Sequence, residues 1–121
     1  MGAYQEDWWY NYKEETLKHD EFLLQCQIVE YLNNNGVCVF SVPNHLLKNG
    51  VAEAKREMAA GFRKGIPDLI CLKPNARCIF MELKTEKGKR SIEQEAIADT
   101  IQALGFEYRL VRSVADVEDL I

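Results

Sequence analysis

The chain is expected to form an α/β domain of three layers, a small mixed sheet with helices on both faces. Three observations carry this expectation. Apolar residues recur at helical spacing near the start and again after position 91, and short β-branched runs lie between them. The resulting order is helix, strand, helix, strand, strand, helix, strand, helix. The 121 residues, 47% of them hydrophobic, suit one core and not two. The expected division is an aromatic N-terminal arm over residues 1–13 and a single domain over residues 14–121.

Residues 14–34 read as the first helix, with Phe22, Cys26, Val29 and Leu32 as its inward stripe and the run Asn33-Asn34-Asn35-Gly36 as its stop. Gln25 falls on that stripe, and an inward amide must find polar partners, either in packing or in a site. Residues 37–42 (VCVFSV) form a strand closed by Pro43-Asn44, followed by a loop. Residues 51–62 mix helix formers with both charge signs, as a short surface helix does, and Gly61 and Gly65 then loosen the chain before Pro67. Residues 68–73 (DLICLK) and 77–84 (RCIFMELK) make a hairpin about Pro74-Asn75. Over residues 91–104, Ser91 and Gln94 fit a capping box, Ile97, Ile101 and Leu104 form the inner stripe, and Gly105 ends the helix. Residues 106–111 (FEYRLV) give the fourth strand and 114–121 a short closing helix.

Composition narrows the function. No stretch approaches the roughly 18 apolar residues of a membrane span, and the first residues lack a basic-then-apolar signal pattern. A cytoplasmic protein without membrane contact is expected. Cys26, Cys38, Cys71 and Cys78 stand singly among apolar residues and read as reduced core side chains, while His19 and His45 have no ligand neighbours, which argues against zinc. The net charge of -4 hides a polarity. Residues 48–90 carry eleven of the fifteen Lys and Arg against five acids, a local balance of +6, so the remainder carries -10. Charge screening over about 8 Å lets a phosphate backbone respond to such a local patch. Solvated surface charge is the plainer account of the same feature.

The chemistry gathers at the hairpin. On the third strand Cys78, Phe80, Glu82 and Lys84 point to one face, and Ile79, Met81 and Leu83 to the other. The hairpin returns Asp68 beside Glu82 and Lys84. Two carboxylates at one point repel unless a cation lies between them, and oxygen ligands without His or Cys suit Mg²⁺ or Mn²⁺. Such an ion with a neighbouring lysine is equipped for phosphodiester hydrolysis. The competing account is a solvated strand face, with Asp68 capping a turn.

Gly65-Ile66-Pro67-Asp68, Glu82-Leu83-Lys84 and the downstream Gln94 resemble the motifs of the VRR-NUC branch of the PD-(D/E)xK nuclease superfamily. The resemblance runs over about residues 21–121 and includes Val42-Pro43-Asn44 and residues 108–113. It implies a restriction-endonuclease-like core and Mg²⁺- or Mn²⁺-dependent DNA cleavage. For small stand-alone members, typical of phages and bacteria, it implies homodimers resembling Holliday-junction resolvases. Carried over, Asp68 and Glu82 are metal ligands, Lys84 is the catalytic lysine, and Gln94 holds the glutamine position after it. Where the family often has an acid in the first helix, this chain has Gln25, with Glu21 one turn earlier as a substitute. Gln94 has a plainer role in the capping box, and Asn44 either positions DNA or holds a turn. Arg63, Lys64, Lys87, Lys89 and Arg90 flank the motifs as phosphate contacts. The aromatic cluster Tyr4, Trp8, Trp9, Tyr10 and Tyr12 stacks on unpaired bases, packs on a partner subunit, or folds back on its own domain. Other accounts are a nucleic-acid-binding module without turnover, and an accessory subunit that acts with a helicase or other repair or replication partner.

Overall fold

A computed structural model of the chain describes residues 20–43 and 50–121. Its elements are α1 (Asp20–Asn34), β1 (Cys38–Ser41), α2 (Val51–Ala59), β2 (Leu69–Lys73), β3 (Arg77–Leu83), α3 (Ile92–Ala103), β4 (Glu107–Val111) and a 3-10 helix (Val114–Leu120). Their order is the expected one. The N-terminal arm, the expected first turns of the opening helix and Asn44 lie outside the described residues.

The sheet runs β1-β2-β3-β4, antiparallel through the first three strands and parallel between β3 and β4. A parallel step needs a crossover, and α3 supplies it. The β2–β3 turn places Asn75 and Ala76 at φ 65 and 60, the left-handed region that Asn tolerates better than Ala. One sheet face buries Leu69, Cys71, Ile79, Met81 and Leu83 against α1 and the 3-10 helix. On the other face Phe40, Ile70, Phe80 and Tyr108 stand in register across all four strands. There Ile97 and Ile101 of α3 share a cavity of about 280 Å³ with Ile70 and Phe80. The result is the expected mixed α/β sheet flanked by helices.

Three expectations are corrected. The buried stripe of α1 is Leu24, Ile28 and Leu32, whereas Phe22 is exposed and Cys26 half-buried. The helix is apolar on more than one side, so spacing alone does not select the flank that meets the sheet. Leu104, assigned to the inner stripe of α3, is 70% exposed, because it is the C-cap residue where the chain turns out into Gly105; Ala98 is the buried residue of that helix. Of the four cysteines, all free, only Cys71 is fully buried, and Cys38 is exposed on the edge strand β1. Among the described residues no helix is long and apolar enough to cross a membrane.

Candidate active site

The hairpin register pairs Leu69 with Met81, so one step further Asp68 stands opposite Glu82. Two hydrogen bonds fix Asp68 there. Its Oδ2 accepts from the Leu83 N–H at 2.8 Å, and its carbonyl accepts from the Val42 N–H at 2.9 Å. Glu82 is only 1% exposed. The first turn of α1 brings in Glu21, and one carboxylate oxygen from each of Glu21, Asp68 and Glu82 lies within 4.8 Å of the others. Glu21 is thus the α1 acid that joins the two; Gln25 lies one turn on and is half-buried.

Burial pushes the Glu82 carboxyl up to about 9, aided by its contact with Asp68 and the charges of Asp68 and Glu21, and opposed by Lys84. Glu21 is raised for similar reasons: burial first, with Lys84 acting against it and Asp68 adding to it. Lys84 therefore sits within electrostatic reach of both acids. Glu82 Oε2 accepts from Gln94 Nε2 at 3.3 Å, while the buried Oε1 has no hydrogen-bond partner among the described residues. A buried acceptor left unpaired costs about 1–3 kcal/mol. A divalent cation shared by the three acids would remove that cost and their mutual repulsion. Oxygen donors alone suit Mg²⁺ or Mn²⁺ better than zinc. The donor set fits such an ion.

Gln94 unites two roles that the sequence offered as alternatives. Its Oε1 accepts from the Ser91 N–H at 2.9 Å, and its own N–H donates to Ser91 Oγ at 3.2 Å, completing the capping box of α3. The other end of the same amide holds Glu82. The cap thereby fixes the amide orientation that faces the acid. α3 reaches this position because Gly65, at φ 91, lets the preceding loop touch its first turn; a Cβ there would lie 2.6 Å from the Glu93 carbonyl.

The expected phosphate contacts separate into groups. Lys87 and Lys89 are exposed on the loop between β3 and α3, and Arg90 is half-buried over the Tyr108 ring, 5.7 Å from its centroid. Lys64 pairs with Glu93 at 3.4 Å, and Arg63 lines the cavity beside Pro67. The basic segment is not one patch. Lys73 and Arg77 flank the hairpin turn, at the far end of β2 from Asp68 and about 17 Å away at strand rise. Arg77 is tied to Glu107 there at 2.9 Å.

Sequence reasoning missed Arg112. Its guanidinium donates to the carbonyls of Thr85, Glu86 and Gly88, the last two at 3.1 and 2.8 Å, and so clamps the loop that carries Lys87 and Lys89. A cation just after the last strand has no local pattern that announces this long-range contact. Arg112→Ala is expected to weaken duplex binding roughly tenfold, because loosened lysines must be ordered on binding. Anisotropy titration with labelled duplex checks this, and unchanged affinity refutes the clamp.

A mixed sheet with three carboxylates and a glutamine gathered at one end of a hairpin accords with the restriction-endonuclease-like superfamily, to which the family that the sequence matches belongs. The chain belongs to the VRR-NUC domain family, which its sequence matches over residues 3–115. A solved structure described as a VRR_NUC domain is similar with a TM-score of 0.61 and 23% identity, over 83% of this chain and 91% of that one. A second, a VRR_NUC domain protein, is similar with a TM-score of 0.53 and 18% identity, over 68% of this chain and 62% of that one. No curated protein matches at a significant level. Membership of the family implies a nuclease-type function.

Proposed function

We propose that this chain is a Mg²⁺- or Mn²⁺-dependent DNA endonuclease, selective for branched DNA in the manner of Holliday-junction resolvases. The observation that carries the reading is the convergence of Glu21, Asp68 and Glu82, with the unpaired Glu82 Oε1 inside it. Asp68 and Glu82, joined by Glu21, would hold the cation. When bound, it supplies Lewis-acid polarisation of the phosphodiester and activation of a water. Lys84 offsets charge that develops on the phosphate and helps orient the attacking water. Gln94 fixes the Glu82 carboxylate, and Gln25 is assigned to the α1 wall of the same site. Arg63, Lys64, Lys87, Lys89, Arg90 and Asn44 position the DNA backbone.

The nuclease domain is taken to span residues 14–121, behind the aromatic arm. Two symmetric incisions need two sites, which favours a homodimer. A helicase or another repair or replication protein is a further partner, and the setting is the cytoplasm of a bacterium or a phage-infected cell.

The direct test is cleavage of labelled four-way junction, flap, single-strand and linear duplex DNA in Mg²⁺, Mn²⁺ and EDTA, beside Glu82→Ala. Metal-dependent cutting that prefers the junction and falls at least a hundredfold in the variant is expected. Equal cutting of linear duplex removes the branch preference. Binding without cutting under any metal replaces the reading with a nucleic-acid-binding module.

A further inference from the structure

Tyr108 has no role in the site described above. Its place in β4 pairs it with Phe80, and the same register pairs Leu110 with Glu82, so Tyr108 stands diagonally across from Glu82 on the same sheet face. With strands about 4.8 Å apart and a rise of about 3.3 Å per residue, such diagonal neighbours lie about 8 Å apart at the backbone, within reach of an aromatic side chain. The Tyr108 hydroxyl is buried, and no described residue offers it a hydrogen bond of good geometry. Arg90 lies over the ring, at 5.7 Å from its centroid. Burial raises the phenol most, a side-chain hydrogen bond from Arg90 opposes that, and the Glu82 and Asp68 charges add to the rise.

The chemistry of the missing partner follows. A cation among the carboxylates takes acceptors such as Glu82 Oε1 and has no use for a phenol proton. A buried O–H donor beside a guanidinium recognises an anion, and charge-assisted hydrogen bonds of this kind are the strong ones. We propose that Tyr108 Oη and the Arg90 guanidinium form a phosphate-oxygen subsite beside the carboxylates. The hydroxyl donates to a non-bridging oxygen of the DNA backbone, and Arg90 supplies the charge. No covalent bond changes at Tyr108. The nuclease reading enters only in naming the anion as a phosphodiester.

The test uses the full chain with Tyr108→Phe and Arg90→Ala. Affinity for labelled duplex is measured by anisotropy in EDTA at several salt concentrations, melting temperature without DNA, and kcat/KM for DNA in Mg²⁺. Tyr108→Phe is expected to bind at least fivefold more weakly with an unchanged salt slope, because it removes no charge. It should melt no lower than wild type, because the lost O–H has no acceptor among the described residues, and kcat/KM should fall about tenfold or more. Arg90→Ala should also bind more weakly, with a salt slope shallower by roughly one ion. Wild-type binding and cleavage by Tyr108→Phe would overturn the subsite and leave the nuclease intact. A lower melting temperature together with weaker binding overturns it too, since the hydroxyl would then serve the fold. If the wild type cuts nothing while Tyr108→Phe still binds weakly, the nuclease reading falls and the subsite stands.

Discussion

In EDTA at pH 7, Glu82→Gln is expected to unfold at a higher temperature than the wild-type chain while losing metal-dependent cleavage. Glu82 is 1% exposed, and its carboxyl is pushed up to about 9, chiefly by burial and then by Asp68. Between its ordinary value of 4.5 and about 9, the folded chain holds a proton that the unfolded chain has released. Stability from this group is therefore intact below pH 4.5, falls as the pH rises through that window, and levels off above it. At pH 7 the cost is on the order of 3 kcal/mol, which an uncharged amide avoids. The gap between variant and wild type should close as the pH falls toward 4.5.

The same displaced proton couples metal binding to pH. At neutral pH a cation must expel it, so binding is expected to release about one proton per ion. Calorimetry in two buffers of different ionisation enthalpy counts it, and the Glu82→Gln variant should release markedly fewer. A variant that melts at or below wild type across the whole pH range would refute this account of Glu82. On the proposed reading, the acid that would hold the cation is without it a destabilising group in the fold.

How much of this was legible in the sequence depended on the range of the interactions. Period-two alternation along RCIFMELK assigns Ile79, Met81 and Leu83 to the core face and Glu82 to the other, because strand geometry leaves no third direction. The hairpin then places Asp68, since register across a short turn is a local property. The arrival of Glu21 beside Asp68 and Glu82 was not local. It depends on how far along α1 the sheet end falls, which packing decides, and no helical period reports it. Gln94 shows another limit. Its capping box and its reach to Glu82 read as rival explanations, but an amide has a donor end and an acceptor end and makes both contacts. Arg112 and Tyr108 are silent in the sequence because their partners lie well beyond any local pattern, on other elements.

Gly65→Ala should be the most damaging change outside the charged residues. The position has φ 91, which already costs an L-residue about 1–2 kcal/mol. Its added Cβ would also meet the carbonyl carbon and oxygen of Glu93 at 2.6 Å and the Gln94 nitrogen at 2.8 Å. These are backbone atoms of the first turn of α3, and they cannot swing aside as a side-chain tip does. Either the loop carrying Pro67 and Asp68 retreats or the start of α3 does. Both movements pull the Gln94 amide from Glu82. The combined cost is expected to be roughly 3–4 kcal/mol, with cleavage reduced at least tenfold at temperatures where the chain is still folded. Gly61→Ala isolates the cause, since that glycine has φ 113 but nothing within 4 Å of its Cβ position. It carries the conformational strain without the collision, so it should lower the melting temperature by a smaller amount and leave cleavage near wild type. Matched losses of activity in the two variants would show that strain alone, and not the seating of α3 against the clustered acids, accounts for the glycine at position 65.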